Sequence, residues 1–198
     1  DHLATAPIEA EDFGSQVNCI YVNRVNPNRV TVGLANGRVW VSLNANLGAT
    51  STWAQLYVGA SAIISVWEDD YQQGQYRFTM GKQFLVTYDN CVNVGVLAEF
   101  ADGDTARKIA VSVFANYVCA TTAAGPAVKR EDGAAITFGD GTVDVHAIAH
   151  HIRDDLLYAA RLAGDGTTIN TYLKAAEATA FTAKATQASG GQPNSMVA

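Results

Sequence analysis

The stretch RVTVGLANGRVWVSL, residues 29–43, leaves the chain little local choice. Two runs of alternating apolar and polar character flank Asn36-Gly37, a pair that supplies the positive φ angles of a tight hairpin turn. Val30, Val32 and Leu34 fall on one face. Across the turn Val39 and Val41 share the other parity, with Trp40 opposite them. Similar short runs recur on both sides: VNCIYV before it, then WAQLYV, AIISVW, QYRFT, QFLVT, VNVGVLAEF and KIAVSVFANYV, most of them separated by Gly or Asp-Asn. Eight or so short strands at this spacing predict an antiparallel β-sandwich or barrel-like sheet over residues 15–138.

After Thr121 the pattern changes. The tetrapeptide GDGT occurs at 139–142 and again at 164–167, and each copy precedes a segment with helical periodicity. Gly-Asp-Gly makes a turn and Thr caps the orphan N–H groups of a helix start. Val145, Ile148, Ile152, Leu156 and Ala159 form one stripe at 100° per residue. Ile169, Tyr172, Leu173, Ala176, Ala180 and Ala183 form a second. The expectation is a C-terminal helical hairpin over 139–187, packed on the sheet or on a neighbouring subunit, and hence an α+β fold. Residues 1–14 read as an extended arm and 188–198 as a flexible tail.

Composition narrows the function classes. A hydrophobic share of 48% with only 16% charged residues is a folding composition. The formal net charge of −6 and scattered basic residues argue against nucleic acid, which selects a basic stripe. No apolar run reaches the ~20 residues of a membrane-spanning helix. Cys19, Cys91 and Cys119 give an odd count without a CxxC knuckle, and read as buried thiols.

Three of the four histidines lie in VDVHAIAHHIRDD, residues 143–155. On a helix, His146, His150 and Asp154 would share one face, a spacing that suits a metal ion. The Glu of HExxH is missing, no second ligand cluster is present, and Arg153 and Arg161 would oppose a cation. The preferred reading makes His146, His150, Arg153, Leu157 and Arg161 a mixed face that meets a protein partner. No cofactor is expected.

A second stretch, SVWEDDYQQGQYRFTMG, carries Trp67, Glu68, Tyr71 and Gly74. An aromatic-Glu pair, a further aromatic and a Gly just before a strand resemble the folded-hairpin signature of the βγ-crystallin family. FGSQVNCIYV and YDNCVNVGVL resemble the strand that closes each of its Greek-key motifs. The resemblance spans residues 13–100 at most. It implies a hairpin folded over its aromatic at Gly74, in a family that includes secreted microbial proteins such as killer-toxin-like antifungals, and calcium-binding modules. The calcium motif departs here: Asp89-Asn90 is kept, but Asn93 stands where a hydroxyl belongs. The acids Glu68, Asp69 and Asp70 also raise glycosidase chemistry, which needs two carboxylates at a set separation.

Three functions therefore compete. The first is a non-enzymatic structural or assembly subunit of virion or filament type, a homo-oligomer found outside the cell or in a virion. The second is a secreted βγ-crystallin-like binding or toxin protein. The third is a metal-dependent enzyme using His146 and His150.

Overall fold

The computed structural model describes residues 15–111, 115–139, 144–151, 154, 156–162, 168–175 and 178–188. Sixteen strands run through them in four successive groups of four. The first group is β1 (Val17–Val22), β2 (Val30–Leu34), β3 (Arg38–Ser42) and β4 (Trp53–Val58). The second is β5 (Ile63–Glu68), β6 (Tyr76–Met80), β7 (Gln83–Thr87) and β8 (Gly95–Glu99). The third is β9 (Thr105–Val111), β10 (Asn116–Thr121), β11 (Val128–Arg130) and β12 (Ala135–Phe138). The fourth is β13 (Ala147–His151), β14 (Leu156–Leu162), β15 (Thr168–Ala175) and β16 (Ala180–Ala188). Within every group each strand lies beside its neighbour in sequence, and β12 joins β16 in a short parallel pairing at Phe138 and Phe181. The chain divides into two compact units, 1–81 with 85–96, and 82–84 with 97–198.

The hairpin at Asn36-Gly37 forms, but of the two residues only Gly37, and not Asn36, takes the expected positive φ. Gly37 has φ +86°, its N–H donates to the Leu34 carbonyl, and Val32 pairs with Trp40. Both faces of this sheet are packed. Val30, Val32, Leu34 and Trp40 form a core on one side, with Val17, Ala45 and Trp53 against it. On the other side Val39, with Cys19, Tyr21, Leu56 and Tyr57, meets Val66, Tyr76, Phe78 and Leu85 of the second sheet. In the second unit Tyr117, Cys119, Ile136, Ile148, Leu157 and Phe181 belong to one core, and Phe84, Phe100 and Val118 to another.

The helical hairpin expected over 139–187 is not there: its described residues are β13 to β16. Ala-rich stripes account for the difference. Alanine fits a period of 3.6 or of 2 equally well, and Val145, Ala147 and Ile148 are all buried, as are Ala159 and Ala160, so burial falls on both faces of these strands. The Thr-rich texture of TINTYLKA and AFTAKATQA, with Ile, Tyr and Phe interspersed, is strand-forming. The expected sandwich likewise gives way to consecutive four-stranded sheets. The arm, most of the tail and most of both GDGT copies lie outside the described residues.

The first two sheets repeat one plan. Asn23 and Asp69 close their strands forty-six residues apart. The Asn23 N–H donates to the Arg29 carbonyl at 3.0 Å, and the Asp69 N–H to the Gln75 carbonyl at 3.0 Å. Asn23 Oδ1 accepts from the N–H groups of Val25 and Asn26. Asp69 Oδ1 accepts from those of Tyr71 and Gln72. The turns after the third strands also correspond. Asn44 Oδ1 accepts from the Ser42 hydroxyl and the Thr52 N–H, and Asp89 Oδ1 from the Thr87 hydroxyl and the Asn93 N–H. In the third sheet Asp132 Oδ1 accepts from the Ala134 N–H at the same place. Such Asx turns replace the ladder where a strand must end.

Candidate functional site

A set of interlocked ionisable groups lies in the first unit, where β1 and β5 run close together. The loop after β1 brings Arg24 and Arg29; the end of β5 brings Glu68, Asp69 and Asp70. Arg29 Nε donates to Glu68 Oε1 at 2.5 Å, and its Nη2 to the Tyr76 hydroxyl at 2.5 Å. Glu68 is fully buried. Asp70 accepts from the Tyr21 hydroxyl (2.8 Å), the Arg24 N–H (2.8 Å) and Arg24 Nε (2.6 Å). Trp67 meets Tyr21 edge-on at 6.2 Å and carries the Arg77 guanidinium 5.0 Å from its ring centre.

Burial works against the Asp70 carboxylate, but hydrogen bonds from the Arg24 N–H, the Tyr21 hydroxyl and the Arg24 guanidinium outweigh it and hold its pKa below the usual value. Burial, reinforced by Asp70, pushes the Tyr21 phenol up; burial and the Glu68 charge do the same to Tyr76. The acids of WEDD thus have three structural duties. Glu68 neutralises a buried guanidinium, Asp69 closes a turn, and Asp70 bonds the β1–β2 loop to the β5–β6 loop. Of the crystallin-like set, Trp67 and Glu68 end β5, Gly74 has φ +89° in the loop, and Tyr71 is 85% exposed.

The histidines are arranged differently from the expected face. In extended backbone, positions four apart are separated by about 13 Å, so His146 and His150 do not converge on one ion. Among the described residues no group of three His, Cys, Asp or Glu could hold a metal. Asp154 meets His151 Nδ1 at 3.1 Å. His146 is buried, with Asp144 Oδ2 at 3.6 Å from its Nε2. Burial lowers its pKa, with Arg107 adding to the effect and Asp144 opposing it. Leu157 is fully buried in the core rather than presented to a partner, His150 and Arg161 are half-buried, and Arg153 lies outside the described residues. Burial pushes the Cys91 and Cys119 thiols up to about 12.

What sequence reasoning missed is a second feature of the first unit, the row of loops at the end where β1 and β5 finish. The Asx acceptors at 23, 44, 69 and 89 were the available signal. The Ala45 N–H donates to the Asn28 carbonyl, Asn23 Nδ2 lies 3.5 Å from the Asp69 and Asp70 carbonyls, and the Asn90 N–H donates to the Gly74 carbonyl. Four loops are thereby bonded in series.

Successive four-stranded sheets built on one repeated plan are the blades of propeller-type β proteins. Solved structures agree on that fold. YCF48 bound to D1 peptide is similar at TM-score 0.56 and 12% identity, covering 88% of this chain and 54% of that one. An ancestral GH74 enzyme is similar at TM-score 0.65 and 14% identity, covering 85% of this chain and 25% of that one. YCF48 from Cyanidioschyzon merolae is similar at TM-score 0.56 and 12% identity, covering 86% and 56%. The chain therefore spans little more than half of the YCF48 structures and a quarter of the GH74 enzyme. No family model matches the chain, and no curated protein matches it in sequence. The likeness is to propeller-type proteins and not to virion subunits, which corrects that expectation. No helix among the described residues is long and apolar enough to cross a membrane.

Proposed function

We propose that this chain is a non-enzymatic protein-recognition module built from propeller-type blades. The observation that carries the reading is the engagement of Glu68 and Asp70. Both carboxylates are buried against guanidinium and phenol groups that hold two sheets together. A general acid or base needs a carboxyl that reaches substrate, and these two are occupied with the fold. The similar YCF48 structure with a bound peptide is a precedent for recognition on such a scaffold. The test has two arms. Cross-linking of the full chain in extracts, followed by calorimetry with each purified candidate, is expected to give a saturable protein ligand. Turnover of any polysaccharide in a hydrolysis panel, lost in Asp70→Asn or Glu68→Gln while the fold is kept, would overturn the reading.

A further inference from the structure

Six large apolar side chains stand exposed on the four bonded loops of the first unit: Val25, Leu43, Leu47, Tyr71, Tyr88 and Val92, each 52–85% exposed. They are not scattered. Val25 and Tyr71 each lie two residues after the Asx acceptor that closes the first strand of their sheet, Asn23 and Asp69. Leu43 and Tyr88 each lie between the hydroxyl and the Asx of the turn after the third strand, Ser42–Asn44 and Thr87–Asp89. Leu47 and Val92 follow those Asx residues by three positions. The same three places in the repeat are therefore apolar and outward-facing twice, on loops already hydrogen-bonded to one another.

The turns hold these side chains in place. Asn23, Asp69, Asn44 and Asp89 fix the local backbone, and Asn90 and Cys91 are kept at positive φ (56° and 63°) beside Tyr88 and Val92. A backbone ordered beforehand loses less entropy on binding. Exposed apolar surface gathered in one place marks an interaction site, and tyrosine is prominent among residues that dominate binding energy.

Charge selects the partner. The charged residues on these loops are Arg24, Arg29, Asp69, Asp70 and Asp89, and each is engaged: Arg24 with Asp70, Arg29 with Glu68, Asp69 with two backbone N–H groups, Asp89 with Thr87 and Asn93. Both cations of these loops are ion-paired, Arg24 while 60% exposed, so an acidic ligand finds no unpaired cation here. We infer that this end of the first unit binds an apolar segment, poor in acidic residues, of a partner protein. The inference rests on the recognition reading above and gives it a surface and a ligand chemistry.

The probe is a phage-displayed library of random dodecapeptides panned against the full chain. Enriched peptides are then synthesised and titrated by fluorescence anisotropy. The targets are the wild type, Tyr71→Ser/Tyr88→Ser/Val92→Ser, and Val58→Ser as an exposed apolar control on β4. Exposed substitutions of this kind leave stability little changed, and the urea midpoint of each variant checks that. Expected are apolar peptides poor in acidic residues whose Kd weakens about tenfold or more in the triple variant and stays unchanged in Val58→Ser. Peptides that bind the triple variant as well as the wild type overturn the surface assignment and leave recognition standing. A library with no enriched peptide overturns the recognition reading itself. A dimer seen by light scattering that the triple variant dissociates assigns the surface to a second copy and overturns the partner inferred here.

Discussion

Replacing Gly33 with alanine drives a methyl group into the packing of the first two sheets. Gly33 lies in β2, and a Cβ built there would stand 2.7 Å from Cys19 Sγ and 2.8 Å from Ile63 Cβ. Ile63 is fully buried and has no open space to retreat into, whereas Cys19 is half-buried. Overpacking of this kind costs about 1–3 kcal/mol. Truncating the obstacle gives the control. Ile63→Ala alone should cost about 2–5 kcal/mol, the range for emptying a buried site. In that background the closest obstacle, Ile63 Cγ2, is gone while Cys19 Sγ and the Cβ of residue 63 stay, so only part of the cost should vanish, leaving a coupling of about 0.5–1 kcal/mol between the sites. Urea unfolding followed by tryptophan fluorescence reads each stability, with unchanged slope confirming that only stability has moved. If Gly33→Ala is neutral, or costs the same in both backgrounds, the close approach of β2 to β5 is wrong.

Three further outcomes are expected. Glu68→Gln strands the Arg29 guanidinium in a buried site and should lower stability by about 3–5 kcal/mol, whereas Arg29→Met with Glu68→Leu should recover most of it; urea midpoints decide. Stability should also fall in acid because of His146, whose folded pKa lies below the ordinary value. Its contribution is fully present above the unfolded value of about 6.5, and drains away below it as the unfolded chain takes up a proton the folded one resists. His146→Asn should flatten that part of the profile. Finally, the fully buried Cys119 should react with a thiol probe at neutral pH only when the chain unfolds, so its labelling rate should track urea concentration.

The hairpin at Asn36-Gly37 was legible because alternation and turn chemistry agree there. The repeat was not, because its copies share acceptor chemistry rather than letters: NRVNPNR and DDYQQGQ close with the same bonds from Asn23 and Asp69. The C-terminal strands were misread because alanine has no period of its own, and the histidine face was lost with the helix that defined it. The buried pairs formed by Glu68 and Asp70 were illegible for a different reason: adjacent acids in a turn ordinarily face water, and only the neighbouring loop carrying Arg24 and Arg29 turns them inward. The exposed apolar loops could have been found by asking which residues flank each Asx turn.

The ion pair between Arg29 and Glu68 sets the first two sheets apart. In the repeat, Glu68 occupies the place that Val22 holds in the first sheet, Tyr76 the place of Val30, and Gln75 the place of Arg29. The two sheets are alike in plan but not interchangeable. If the two sheets exchanged seats, Gln75 and Val22 would meet where Arg29 and Glu68 now pair, and the ion pair would be lost. Glu68 would stand in the place of Val22, which is 44% exposed, away from its cation. Proteins made of similar modules are prone to assembling them out of order. The buried charges act as an address that makes each wrong neighbour costly, so the sequence encodes the succession of its sheets as well as their shape.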